Sequence, residues 1–193
     1  MMGDDVQPIQ SRRSIALAFS TEQSTERSSQ ERMGMFFSGK ELLDVAVNIE
    51  KSGAAFYETM VGCAKSKKAQ TAFKYLADQE KQHLKAYQSM LKDLADAPPP
   101  ESYTEEYDEY IKSLVKSAVF SSEKAACTLA EKTSGDAEGI DFGIRAEKDS
   151  ILFYTELQDL VRRADAKVIS SIVEEEKSHL KRLSELKAGL AKS

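Results

Sequence analysis

Both histidines of this 193-residue chain fall in a repeated pattern, Glu-Lys-x-His-Leu-Lys, which begins at Glu80 and again at Glu176. On a helix, a Glu three residues before a His lies on the same face about one turn away, so carboxylate and imidazole can reach the same ion. A second matched segment precedes each copy: Glu50-Lys51 with Phe56-Tyr57, and Glu147-Lys148 with Phe153-Tyr154. The chain is therefore an internal duplication. Its six candidate ligands, Glu50, Glu80, His83, Glu147, Glu176 and His179, supply four carboxylates and two imidazoles. Two divalent ions would neutralise the four carboxylates, which lets such a centre sit in a protein interior. Without metal, each buried charged carboxylate would cost several kcal/mol or take up a proton. Hard oxygen donors with imidazole suit iron or manganese, whereas structural zinc favours four ligands in a tetrahedron.

These residues need four helices to bring them together. Apolar positions recurring at 100° per residue predict a helix over about 39–64, with Leu43, Ala46, Val47, Glu50, Ala54, Tyr57 and Val61 on one face. A second is predicted from the following turn to about Asp96, burying Phe73, Leu76, Glu80, His83, Tyr87, Leu91 and Leu94, and the run Pro98-Pro99-Pro100 stops it. The third repeat helix is expected over 136–162 and aligns Ile140, Gly143, Ile144, Glu147, Ile151, Tyr154 and Val161. Its partner, over 165–188, aligns Ile169, Ile172, Val173, Glu176, His179, Leu180 and Leu183. Residues 101–135 have no repeat counterpart, and Tyr107, Ile111, Leu114, Val115 and an Ala-rich stretch make them a partly helical crossover. Two antiparallel hairpins joined by one long connection form an all-α, ferritin-like four-helix bundle whose inward side chains build the site.

Composition agrees with long amphipathic helices: Glu, Lys, Ala, Leu and Ser dominate, with four Pro and no Trp. The length fits one globular domain, expected over 39–190, preceded by a flexible Ser-, Gln- and Arg-rich tail over 1–38. A net charge of −5 with no isolated basic cluster argues against nucleic acid or an anionic membrane surface as partner. Ile15–Phe19 is too short for a signal-peptide core and no run is long enough for a membrane span, so a soluble cytoplasmic protein is expected. Cys63 and Cys127 lack C-x-x-C spacing and are read as reduced thiols.

Several neighbours of the ligands have two readings. Tyr57 and Tyr154 lie on the inward face two turns after Glu50 and Glu147, and either hydrogen-bond a ligand carboxylate or serve as ordinary core aromatics. Tyr87, Phe56 and Phe153 are read as core, and Glu174 and Glu175 as part of a solvated face.

At these residues the chain resembles the rubrerythrin branch of the ferritin-like di-iron carboxylate proteins, without a rubredoxin domain. Asp78-Gln79-Glu80-Lys81-Gln82-His83 is similar to that family's second-helix ligand motif, and Glu50 with Tyr57 to its first-helix ligand and outer tyrosine; the resemblance covers 39–190. It implies that Glu80 and Glu176 bridge two irons, or manganese in one or both positions. It further implies that Glu50 and Glu147 are terminal ligands, that His83 and His179 each cap one metal, and that Tyr57 and Tyr154 support them from outside. The chain departs from the family in two places. Ser150 stands three residues after Glu147, where typical members have a further Glu, and two cysteines are too few for the family's four-cysteine iron site. The resemblance implies a peroxidase or oxidoreductase that takes peroxide or dioxygen and draws electrons from an external donor such as a rubredoxin or flavin reductase; the oligomeric state stays open, with a homodimer among the options. Ferrous oxidation or iron handling, oxygenation of an organic or RNA substrate, and a non-catalytic bundle are the alternatives.

Overall fold

The structure is a computed structural model and describes residues 37–93 and 104–190. Among the described residues there are six helices: α1 Gly39–Cys63, α2 Lys67–Asp93, α3 Glu105–Ser117, α4 Glu123–Lys132, α5 Asp136–Gln158 and α6 Arg163–Leu190. Helices α1 and α2 form one antiparallel hairpin and α5 and α6 the other. The crossover supplies α3, which packs on α5, and α4, which packs on α1. This is the all-α bundle expected. Apart from Phe37 and Ser38, the expected tail lies outside the described residues, as do Leu94 and the triple-proline stop.

Local chemistry sets most helix starts. Ser38 and Glu41 form a reciprocal capping box at α1: the Ser38 hydroxyl accepts from the Glu41 N–H at 3.2 Å, and the Glu41 carboxylate accepts from the Ser38 N–H at 2.8 Å. Thr104 and Ser122 cap α3 and α4 in the same sense. The tight turn between α1 and α2 is fastened to the second hairpin, because the Lys65 and Ser66 N–H groups donate to the Asp136 carboxylate at 2.7 and 2.8 Å. Helix α5 ends at Gln158, four residues before its expected end. The Asp159 and Leu160 N–H groups turn back to the carbonyls of Glu156 and Leu157, tightening the last turn and closing the helix. The apolar pattern ran on because Val161, in the turn itself, still packs on the core. Helix α6 starts earlier and ends later than expected, at Arg163 and Leu190.

The apolar interior is not continuous. One cluster joins Leu43, Val47, Tyr87, Ile111, Leu157 and Ile169; a second joins Phe56, Met60, Phe73, Leu76, Ile140 and Leu183. A layer of buried carboxylates and imidazoles separates them. Apolar side chains cannot satisfy such groups, so the core closes above and below the polar layer. No helix among the described residues is long and apolar enough to cross a membrane.

Candidate metal centre

Each bundle helix contributes to the polar layer at the position its periodicity demands: Glu50 from α1, Glu80 and His83 from α2, Glu147 from α5, and Glu176 and His179 from α6. All six are buried. Their ligand atoms fall into two groups, Glu50–Glu80–His83–Glu176 and Glu80–Glu147–Glu176–His179, each with atoms within 4.8 Å of one another. Glu80 and Glu176 belong to both groups. The structure thus brings together all six residues the sequence singled out and places Glu80 and Glu176 where one carboxylate can serve two ions.

The hydrogen-bond pattern fits a pair of cations. Glu50 Oε2, Glu147 Oε2, Glu176 Oε1 and His83 Nδ1 are buried with no hydrogen-bond partner, in an interior where such groups are normally satisfied. His83 Nδ1 lies 3.1 Å from Glu176 Oε1 and 3.7 Å from Glu50 Oε2, and His179 Nδ1 lies 3.0 Å from Glu176 Oε2 and 3.6 Å from Glu147 Oε2. His83 Nδ1 is close to its neighbours yet not aligned with them as a donor, the geometry of atoms converging on a shared point. The ring planes of His83 and His179 stack at 5.7 Å between centroids.

The other carboxylate oxygens of Glu50 and Glu147 are held by tyrosines in a crossed arrangement. Tyr57 donates to Glu147 Oε1 at 2.5 Å, and Tyr154 donates to Glu50 Oε1 at 2.6 Å. Of the two readings of these tyrosines, the ligand-supporting one describes the structure, and each acts on the other half of the repeat. Gly143 permits the first contact: a Cβ there would meet the Tyr57 hydroxyl at 3.1 Å and Leu183 at 3.0 Å. Tyr87 is buried against Tyr154 at 5.1 Å, as expected of a core aromatic, although its hydroxyl has no partner.

One residue does not match its expected place. Glu174 is on the solvated face, paired with Lys177 at 2.7 Å. Glu175 is half-exposed but turns back across the seam between α2 and α6, where its Oε2 lies 3.1 Å from His83 Nε2. Helical periodicity reports only a direction from one axis and misses a side chain that reaches sideways to the next helix. The repeat-equivalent residue is Gln79, and His179 Nε2 is buried with no hydrogen-bond partner. The two halves are therefore chemically unequal. A carboxylate on the distal nitrogen orients the ring and raises its basicity, a contribution worth roughly 10–100-fold in metal affinity. Glu175→Ala is expected to weaken the ion held by His83 by about tenfold or more, splitting a metal titration into two steps. An unchanged titration would remove Glu175 from the site.

In the metal-free protein the layer is neutralised by protons. Burial and the adjacent Glu176 carboxylate push Glu80 well above the usual carboxylate range, and the same two causes raise Glu147. Burial opposes ionisation of Glu176 as well, but His179 and His83 hold it below that range. Burial also disfavours the charged imidazoles, yet Glu176 and Glu50 hold His83 up to about 11, and Glu147 and Glu176 hold His179 up to about 9. Metal binds the deprotonated ligands, so loading must expel these protons. At pH 7 calorimetry in buffers of different ionisation enthalpy is expected to show release of at least the two imidazolium protons per chain, with affinity falling as pH drops. No proton release would contradict this arrangement. Without metal the linkage runs the other way. Both histidines have folded-state pKa values above the unfolded value, so their contribution to stability is complete below about 6.5. It is then lost as pH rises through about 9 and about 11.

A four-helix bundle in which four inward carboxylates and two histidines form two groups sharing two of the carboxylates defines a di-metal carboxylate protein of ferritin-like fold. The sequence profile of the rubrerythrin family matches residues 41–187, and the chain belongs to that family. Among solved structures it is similar to a ferritin-like diiron-carboxylate protein from Thermotoga maritima, at 25% identity and a TM-score of 0.60, covering 79% of this chain and 96% of that one. No curated protein matches significantly.

Proposed function

We propose that the protein is a rubrerythrin-type di-iron redox protein that reduces hydrogen peroxide to water with electrons from an external donor. The observation that carries the reading is the sharing of Glu80 and Glu176 between the two ligand groups, which would hold two ions close enough to act on one small molecule. Bound there in the reduced state, an iron pair would supply the two electrons that, with two protons, convert H2O2 to two waters. Glu50 and Glu147 would each hold one ion, and the Tyr154 and Tyr57 hydroxyls keep these carboxylates in place. Those hydroxyls, which burial pushes above the usual phenol range, keep protons at defined atoms beside the ligands. The apolar clusters close the layer toward both ends of the bundle. Manganese in one or both positions would suit the same ligands.

The test is anaerobic reconstitution with ferrous iron followed by peroxide. Two irons per chain, one peroxide consumed per pair, and iron retained after oxidation and re-reduction are expected. Release of ferric iron in each cycle would favour ferrous oxidation and iron handling instead. Fewer than about half an iron per chain would remove the di-iron reading altogether.

A further inference from the structure

Beside the polar layer, between α1, α5 and the crossover, lies a cavity of about 380 Å³. Its volume is near the lower end of the roughly 300–1,000 Å³ typical of small-molecule sites and is far more than peroxide or dioxygen requires. The cavity is graded from end to end. Glu80, Glu147 and Tyr57 of the candidate metal centre form its buried end, together with Gly53 and Ser150, while Lys116 and Ser121 at the other end are exposed. Between them the walls are mainly aliphatic and aromatic, with Ile49 and Phe153 from the bundle facing Leu114, Val115, Val119 and Phe120 from the crossover.

Two small residues keep the buried end open. Gly53 and Ser150 are repeat equivalents, each three residues after a ligand Glu. A Cβ on Gly53 would already stand 3.2 Å from the Glu80 carboxyl carbon. Ser150, the departure from the Glu of typical family members noted in the sequence, lines the cavity. Gly143 and Ala54 take no part in the lining: Gly143 packs against Tyr57 and Leu183, and Ala54 is buried elsewhere. The crossover wall is fixed from below, because the Val119 N–H donates to the Asp149 carboxylate at 2.9 Å.

We propose that this cavity is a binding site for a medium-chain aliphatic carboxylate, its chain running inward to Gly53 and Ser150 and its head group held at Lys116. The apolar walls match a chain. The buried end, neutralised by protons or by metal, offers no net charge to an anionic head, whereas Lys116 at the exposed mouth is a cation in no ion pair among the described residues. The inference concerns binding alone and stands whether or not the adjacent centre turns over peroxide.

The test is calorimetric titration of the metal-loaded full-length protein with decanoate, decan-1-ol and acetate. Saturable binding of decanoate at one site per chain is expected, with decan-1-ol at least fivefold weaker and acetate not bound. Lys116→Ala should remove the preference for decanoate over decan-1-ol. Ala118→Phe, which fills the cavity from the crossover, should weaken decanoate at least tenfold while metal content is unchanged. Leu114→Trp, placed on the same wall from α3, should do the same and guards against a local folding defect in either variant. No saturable binding of decanoate, or binding indifferent to both filling variants, would overturn the site. Equal binding of decan-1-ol, or a preference that survives Lys116→Ala, would overturn the carboxylate assignment.

Discussion

Glu176→Ala is expected to lower bound metal from two ions per chain to fewer than about one half, because it removes a ligand from both positions at once. Glu176 belongs to both ligand groups and lies 3.1 Å from His83 Nδ1 and 3.0 Å from His179 Nδ1 through different oxygens. Losing a terminal ligand such as Glu147 affects one group; losing Glu176 leaves three carboxylates to balance two divalent ions in a buried layer, where uncompensated charge is expensive. In the metal-free protein Glu176 is also the common counter-ion of both imidazolium rings, so the alanine variant can lose stability for a separate reason. Glu176→Gln preserves shape and volume and separates the two effects. It should fold, as judged by helical circular dichroism, and still fail to hold two ions by elemental analysis. Glu174→Ala, on the exposed face of the same turn, should bind metal normally. A folded Glu176→Gln protein that retains two ions would break the assignment of Glu176 as a shared ligand.

How much of this centre can be read from sequence follows from what helical periodicity encodes. Glu50, Glu80, His83, Glu147, Glu176 and His179 were legible because each lies on the apolar stripe of its own helix and because the repeat presents the pattern twice. The bundle was legible for the same reason: the stripes, the short turns and the unmatched middle segment together leave few arrangements. Relations between helices were not legible. The crossed bonds from Tyr57 to Glu147 and from Tyr154 to Glu50 depend on how α1 and α5 face each other, which no single-helix pattern contains. Glu175 was assigned to solvent by its angle on α6, yet reaches His83 on α2. The cavity is also an inter-element feature, since its outer wall is the crossover, whose docking depends on contacts distant in sequence.

The strongest of those contacts centres on Phe56. It is fully buried, and its ring packs on Phe120 of the crossover at 4.7 Å, on Tyr57 edge-on at 5.4 Å and on Phe142 of α5 at 6.5 Å. Phe56 therefore joins α1, α5 and the crossover at a position two turns from Glu50 and next to the tyrosine that holds Glu147. Truncating a buried Phe removes its transfer free energy and leaves a cavity that neighbours fill only in part, a loss of about 3–5 kcal/mol. At roughly 2–4 °C per kcal/mol for a domain of this size, Phe56→Ala should lower the melting temperature of the metal-free protein by on the order of 10 °C. The metal-free form is the right reference, since bound metal would add its own stabilisation to the folded state and mask the change. The perturbation should be directional. Phe120 loses its aromatic partner, so amide exchange should accelerate first in residues 118–122 and in α4, where Ala126 and Ala130 are buried in the same cluster. The end of the bundle beyond the polar layer, around Leu43, Ile111 and Ile169, belongs to the other apolar cluster and should keep its protection until global unfolding. A drop below about 3 °C, or uniform acceleration across both clusters, would mean that the crossover is held by other contacts and that the polar layer does not divide the core into separately stabilised halves.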